Sequence, residues 1–202
     1  DLMDIEQLEV LRGPQGTLFG KNTTAGVINI STRAPSFTPE RSIESSVGED
    51  GYFQTKGTLS GPLNDELAGR FSAYRTRSDG DIKNEYDGHD LNGGSRDGFR
   101  AQLLFKPNET FNLRWIGDYN EEDSSAGTRV LYNTGPTING VNLYQNRANA
   151  AGATLVDGTH RKVNLNNDQH VTVHQGGTSV EANWTLSNGF NLNSISSYRW
   201  RN

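Results

Sequence analysis

The chain has 202 residues, 24 acidic and 19 basic side chains for a formal net charge of -5, 23 glycines and no cysteine. Its length suits one or two domains; the scattered Lys and Arg lack the basic stripe of a nucleic-acid binder, and without cysteine there are neither disulfides nor thiolate metal sites. With 32% hydrophobic residues and a mean hydropathy of -0.72, no run approaches the ~20 apolar residues of a membrane helix, but a β-barrel, whose strands are apolar on one face only, stays open.

Taken in order, Ile5, Leu8, Val10 and Leu11 form a short apolar run that stops at Gly13-Pro14, where proline lacks an N–H and glycine permits any φ. Gly16, Gly20 and Gly26 punctuate the next stretch before Val27 to Thr32 returns to β-branched residues. The unit reads as strand, glycine-pinned loop, strand. A phosphate-binding loop needs G-x-x-x-x-G-K-[ST], and Gly20-Lys21 has Gln15 and Asn22 at two of the required positions. A dinucleotide fingerprint fails on glycine spacing and on the absence of a following helical pattern.

Pro35 to Pro39 reads as a linker, since two prolines in five residues break a ladder. Beyond it the period becomes two. Phe53, Thr55, Gly57 and Leu59 share one face, as do Leu67, Gly69, Phe71 and Ala73; Phe99, Ala101, Leu103 and Phe105; Phe111, Leu113, Trp115, Gly117 and Tyr119; and Val180, Ala182, Trp184 and Leu186. Tight turns at Pro62 to Asp65, Pro107 to Thr110 and Ser187 to Gly189 alternate with long polar joins at Ser78 to Ser95 and Asp123 to Asp168; Glu49 to Gly51 is a short first outer join. Outer-membrane barrels alternate turns and loops in this way. A soluble β-sandwich with a long insertion also alternates apolar and polar positions. Aromatics toward the strand ends (Phe53, Phe99, Phe105, Phe111, Tyr119, Trp184, Phe190, Tyr198, Trp200) and a charged opposite face favour the barrel. Some seven strands fall between Arg41 and Arg201, against roughly 22 in plugged outer-membrane transporters, so an incomplete barrel is expected.

The segment IEQLEVLRGPQGTLFGKNTTAGVINISTRAP resembles the end of the plug domain of TonB-dependent outer-membrane receptors, over about thirty residues with few departures, Ala25 in a common glycine position among them. The resemblance implies an all-β chain: the C-terminal part of a plug domain in residues 1–36, then residues 37–202 as the first part of a partial antiparallel transmembrane β-barrel with long extracellular loops. Arg12, Gly13, Pro14, Gly16, Gly20, Gly26 and Asn29 match motif positions that shape the plug and have no catalytic part. It further implies location in the bacterial outer membrane, contact with its lipid, and uptake of a scarce nutrient, most commonly a ferric siderophore. The inner-membrane TonB complex would drive uptake through an N-terminal TonB box that lies before Asp1; the chain thus reads as a fragment. A passive porin-like channel and a soluble carbohydrate-binding β-domain are the alternatives.

The residues suggest no enzyme, cofactor or resident metal. His170 and His174 have the i, i+4 spacing of a helical zinc pair, but on a strand they stand roughly 13 Å apart, as separate lumen-facing or rim residues. His89 and His160 fall in the long joins. The acidic run Asp79, Asp81, Glu85, Asp87 and Asp90 has Asn84 where a calcium loop wants glycine. Glu121, Glu122 and Asp123 have no nucleophile or oxyanion donor near them in sequence. Ser124 to Asn167, long and without periodicity, is the candidate binding loop, with Arg129, Tyr132, Tyr144 and Arg147 as polar and aromatic contacts for an anionic ligand.

Overall fold

A computed structural model describes residues 3–125, 129–131, 134–155, 161–167 and 170–202. Two strands, β1 (Ile5–Arg12) and β2 (Gly26–Thr32), pair as an antiparallel hairpin, with Leu8 opposite Ile30 and Arg12 opposite Gly26. Their connection contains one turn of helix, α1 (Gly16–Phe19), where the sequence suggested only a loop. Gly13 and Gly20 take φ of 87° and 77°, open to glycine at little cost.

Seven strands form the main sheet: β3 (Glu40–Val47), β4 (Phe53–Pro62), β5 (Leu67–Ser78), β8 (Gly94–Phe105), β9 (Phe111–Ser124), β11 (Val171–Thr185) and β12 (Asn191–Arg201). All are antiparallel neighbours in chain order, and the edge strands β3 and β12 do not close on each other. The expected count of seven and the up-and-down order are therefore present. At the turn end an asparagine shapes each connection. Asn64 Oδ1 accepts from the N–H groups of Glu66 and Leu67, Asn108 Oδ1 from Thr110 and Phe111, and Asn188 Oδ1 from Phe190. Such side-chain acceptors stand in for a missing ladder partner and fix a tight turn.

The long joins hold structure that periodicity did not show. β6 (Ile82–Asn84), β7 (Asp90–Leu91) and β10 (Lys162–Val163) form a small second sheet, order β10-β6-β7, drawn from both long joins. Its centre is the buried Asn84, whose side chain donates to Leu165 O at 2.9 Å and accepts from Leu165 N at 2.9 Å, beside buried Ile82 and Val163. Lys162 and Glu85 pair at 2.7 Å on its surface. The candidate binding loop also contains α2 (Leu143–Ala150), capped by Asn142 Oδ1 accepting from Gln145 N. With no apolar stripe, α2 could not be found by hydrophobic period.

The register sorts the sheet into two faces. Phe71, Phe99, Tyr119 and Trp200 lie on one of them and make a continuous aromatic row, with centroids 6.2, 5.9 and 6.1 Å apart. Phe111 and Trp184 pack edge to face at 6.3 Å near the turn end of that face. The eight residue steps from Phe111 to Tyr119 span about 26 Å along the strand, in keeping with an apolar band flanked by aromatic girdles. The opposite face carries Arg70, Ser72, Arg96, Arg100, Gln102, Arg114, Asp118, Glu181 and Arg199.

Candidate functional site

The polar face meets the N-terminal hairpin at one place. Arg33 N donates to Asp4 O at 3.2 Å and closes the base of the hairpin, and the side chains of β5, β8 and β9 grip that base. Arg70 donates from Nε and Nη2 to the two oxygens of Asp4, at 2.5 and 2.6 Å, and from Nη1 to Glu40 at 2.8 Å. Ser72 Oγ donates to Asp4 at 2.9 Å. On the next strand Arg100 reaches Met3 O at 3.2 Å and Gln102 reaches Arg33 O at 3.1 Å. Arg114 on β9 donates to Thr32 O and Oγ1, both at 3.1 Å, and to Gln102 Oε1.

Three neighbouring strands thus bind both ends of the hairpin through side chains that point the same way, as their shared parity requires. The Arg70 and Asp4 side chains retain only 3% and 5% of their exposure. A charge buried this far persists only if paired and hydrogen-bonded, and among the described residues no buried side-chain polar atom lacks a partner. Burial pushes the Asp4 carboxyl upward, but the hydrogen bonds from Arg70 and Ser72 and the Arg70 charge outweigh it, holding the group below its ordinary range. Beyond the hairpin the polar face continues as ion pairs: Arg96 with Glu122 at 2.8 Å, Arg199 with Asp118 at 2.8 Å and Arg114 with Glu181 at 3.8 Å.

The residues singled out from sequence fall elsewhere. Arg12, Gly13, Pro14, Gly16, Gly20 and Gly26 cluster at the far tip of the hairpin, where Gly13 N donates to Ala25 O and Gln15 N to Thr23 O. The tip is about 25 Å along β1 from the gripped base. Asn29 lies midway, its Nδ2 donating to Glu9 at 2.8 Å. Of the loop candidates, Tyr144 and Arg147 lie three residues apart on α2, both exposed, and Arg129 lies in the preceding coil with no hydrogen bond or ion pair to either among the described residues. Tyr132 and His160 are outside the described residues. His170 pairs with Asp123 at 2.8 Å while His174 contacts Tyr119 Oη at 3.0 Å and Glu121 at 3.6 Å, so the two histidines serve separate carboxylates at the loop end of the aromatic face.

What the sequence reading missed is the grip itself. Its donors occupy alternating positions on strands far from Asp4 in sequence, and only the alternation of polar with apolar residues hinted at it.

An open wall of this kind, apolar and girdled on one face, polar on the other and engaged there with an N-terminal hairpin, is the architecture of a segment of an outer-membrane β-barrel. No family model matches the sequence. A stretch of 96 residues, 47% of the chain, is 44% identical to 14% of the pesticin receptor of Yersinia pestis. Over 97% of its length the chain is 25% identical to 30% of the ferric enterobactin receptor PirA of Pseudomonas aeruginosa. Among solved structures, the ferric yersiniabactin uptake receptor FyuA from Yersinia pestis superposes with a TM-score of 0.79 at 25% identity, covering 99% of this chain and 29% of that one. The chain is homologous to part of the TonB-dependent outer-membrane receptors, proteins of the Gram-negative outer membrane and not enzymes. It spans under a third of the length of these relatives.

Proposed function

We propose that the chain is the plug-to-barrel portion of a receptor that imports a ferric siderophore across the outer membrane by TonB-dependent transport. Residues 1–36 are then the end of the plug and residues 37–202 the first strands of the barrel. The observation that carries this reading is the grip of Arg70, Arg100, Gln102 and Arg114 on the hairpin base. A passive pore does not require a segment bound across its inner face, whereas a gated importer needs one that is held at rest and can be moved. The names of the relatives, receptors for ferric enterobactin and ferric yersiniabactin, support the substrate class.

In this reading there is no covalent chemistry. Ligand is taken from outside by the long loops, with Arg129, Tyr132, Tyr144 and Arg147 as candidate contacts, and passes inward when force from the TonB complex rearranges the plug. The glycine-rich tip matches the plug motif in Arg12, Gly13, Pro14, Gly16, Gly20, Gly26 and Asn29.

The test is uptake of radiolabelled ferric siderophores by iron-limited cells carrying the full-length parent, with and without TonB. Uptake that needs TonB is the expected result. Passage of small solutes without TonB would replace the proposal with a porin, and TonB-dependent import of cobalamin or a glycan alone would overturn the siderophore assignment.

A further inference from the structure

Two hollows lie on the outward, apolar face of the sheet where bulky residues are expected. Their floors are cross-strand pairs of small residues, Gly57 opposite Ala73 and Gly61 opposite Gly69. The Leu59–Phe71 pair stands between them as a ridge. One hollow, of about 670 Å³, is walled by Ile43 and Thr55; the other, of about 730 Å³, by Leu63, Leu103 and Trp115. Arg41, directly opposite Leu59 in the register, borders both.

Arg41 faces outward because its neighbour Glu40 faces in, toward Arg70. No described residue pairs with its guanidinium, in contrast to Arg75 at the other side of the first hollow, which has Asp97 at 3.6 Å. Glu40, the one carboxylate bordering either hollow among the described residues, is committed to Arg70 at 2.8 Å. An unpaired cation on a lipid-facing strand is costly unless an anion meets it, and guanidinium matches phosphate with two parallel hydrogen bonds. With no free carboxylate to receive an ammonium headgroup, the site suits a lipid of net negative charge. Arg41 is the second residue of β3 and lies toward the end of the sheet that carries the short turns, the periplasmic side in a barrel of this type, where the leaflet is phospholipid.

We propose that Arg41 and the hollow over Gly57 and Ala73 form a binding site for one anionic diacyl phospholipid of the periplasmic leaflet, with the phosphate on Arg41 and an acyl chain in that hollow, which lies on the side of Arg41 away from the short turns. This rests on the reading of this face as membrane-exposed. The site would fix lipid on β3 to β5, the strands next to the Arg70 grip.

The test uses the full-length parent purified in detergent, with phosphatidylglycerol as probe and phosphatidylcholine as control, and counts retained lipid by native mass spectrometry. Phosphatidylglycerol should be retained about fivefold over phosphatidylcholine, as one cation at an anionic headgroup warrants. Arg41→Gln should abolish that preference while Arg41→Lys keeps part of it. Gly57→Leu should lower retention of both lipids, because a Cβ there meets nothing nearer than Ser42 O at 4.0 Å and the side chain projects into the hollow. Heat-dependent gel mobility establishes that each variant barrel is folded. A preference unchanged in Arg41→Gln, no preference in the wild type, or retention of lipopolysaccharide in place of phospholipid would each overturn the site. Membrane fractionation reads the underlying assumption separately: a parent outside the outer membrane sinks the membrane-facing reading, whereas an outer-membrane parent indifferent to Arg41→Gln sinks the lipid site alone.

Discussion

Replacing Asp4 by Ala in the full-length parent should loosen the hairpin base while leaving the wall intact. The substitution removes two charge-assisted hydrogen bonds from Arg70, at 2.5 and 2.6 Å, and one from Ser72 at 2.9 Å. Hydrogen bonds to charged groups contribute about 1.5–3 kcal/mol each, and breaking a buried pair costs about 3–5 kcal/mol. The three bonds share one carboxylate and do not add. Arg70 also keeps Glu40 at 2.8 Å and so is not left wholly uncompensated. The low end of the range applies, about 3 kcal/mol, or roughly a hundredfold in a local opening equilibrium. Amide hydrogen exchange reads this directly: protected amides of β1 and β2, and that of Arg33, which donates to Asp4 O, should exchange about a hundredfold faster. Amides of β9 and β11 should be unchanged. Acceleration below about threefold, or equal acceleration in those wall strands, would refute the view that the pair secures the hairpin specifically.

Other outcomes follow from the same geometry. The Asp4 carboxyl is held below its ordinary value of 3.8, so its contribution is fully present above that value and is lost as pH falls below it through the folded-state value. Protease sensitivity of the hairpin should therefore stay flat down to about pH 4 and rise in the parent as pH falls further, and Asp4→Asn should flatten that dependence. Gly26 has φ of 151°, and a Cβ there would lie 2.5 Å from Leu11 O. Gly26→Ala should cost the hairpin about 1–3 kcal/mol, seen as faster exchange in β1 and β2 with the base contacts retained. Asn84→Ala would orphan the N–H and C=O of Leu165, at about 1–3 kcal/mol. Limited proteolysis should then cut both long joins together, whereas cleavage of one alone would show that they are not held as a unit.

Much of the wall was legible from the chain because a transmembrane strand writes its geometry in alternation. The aromatics at Phe99, Phe111, Tyr119, Trp184 and Trp200 are all on the outward face, as their spacing required. The Asn-led turns also announce themselves locally, since each acceptor acts on an N–H two or three residues away. The motif of the first thirty residues carried the resemblance to the TonB-dependent receptors, yet its glycines describe only the hairpin tip.

What the linear order could not settle were contacts between segments with no local signature. β6, β7 and β10 have two or three residues each, too short for a period, and exist because Asn84 and Leu165, 81 residues apart, satisfy each other. α2 has a cap but no apolar stripe, so hydrophobic period could not reveal it. The sequence by itself determined the seven long strands, their two faces and the turns, since each depends on neighbours a few residues away. Tertiary structure alone decided that Arg70 meets Asp4 and that Arg41 meets no described partner. Both arginines begin as polar residues on alternating strands; their partners are set by the direction in which each strand turns its side chains and by what the folded chain brings against that face.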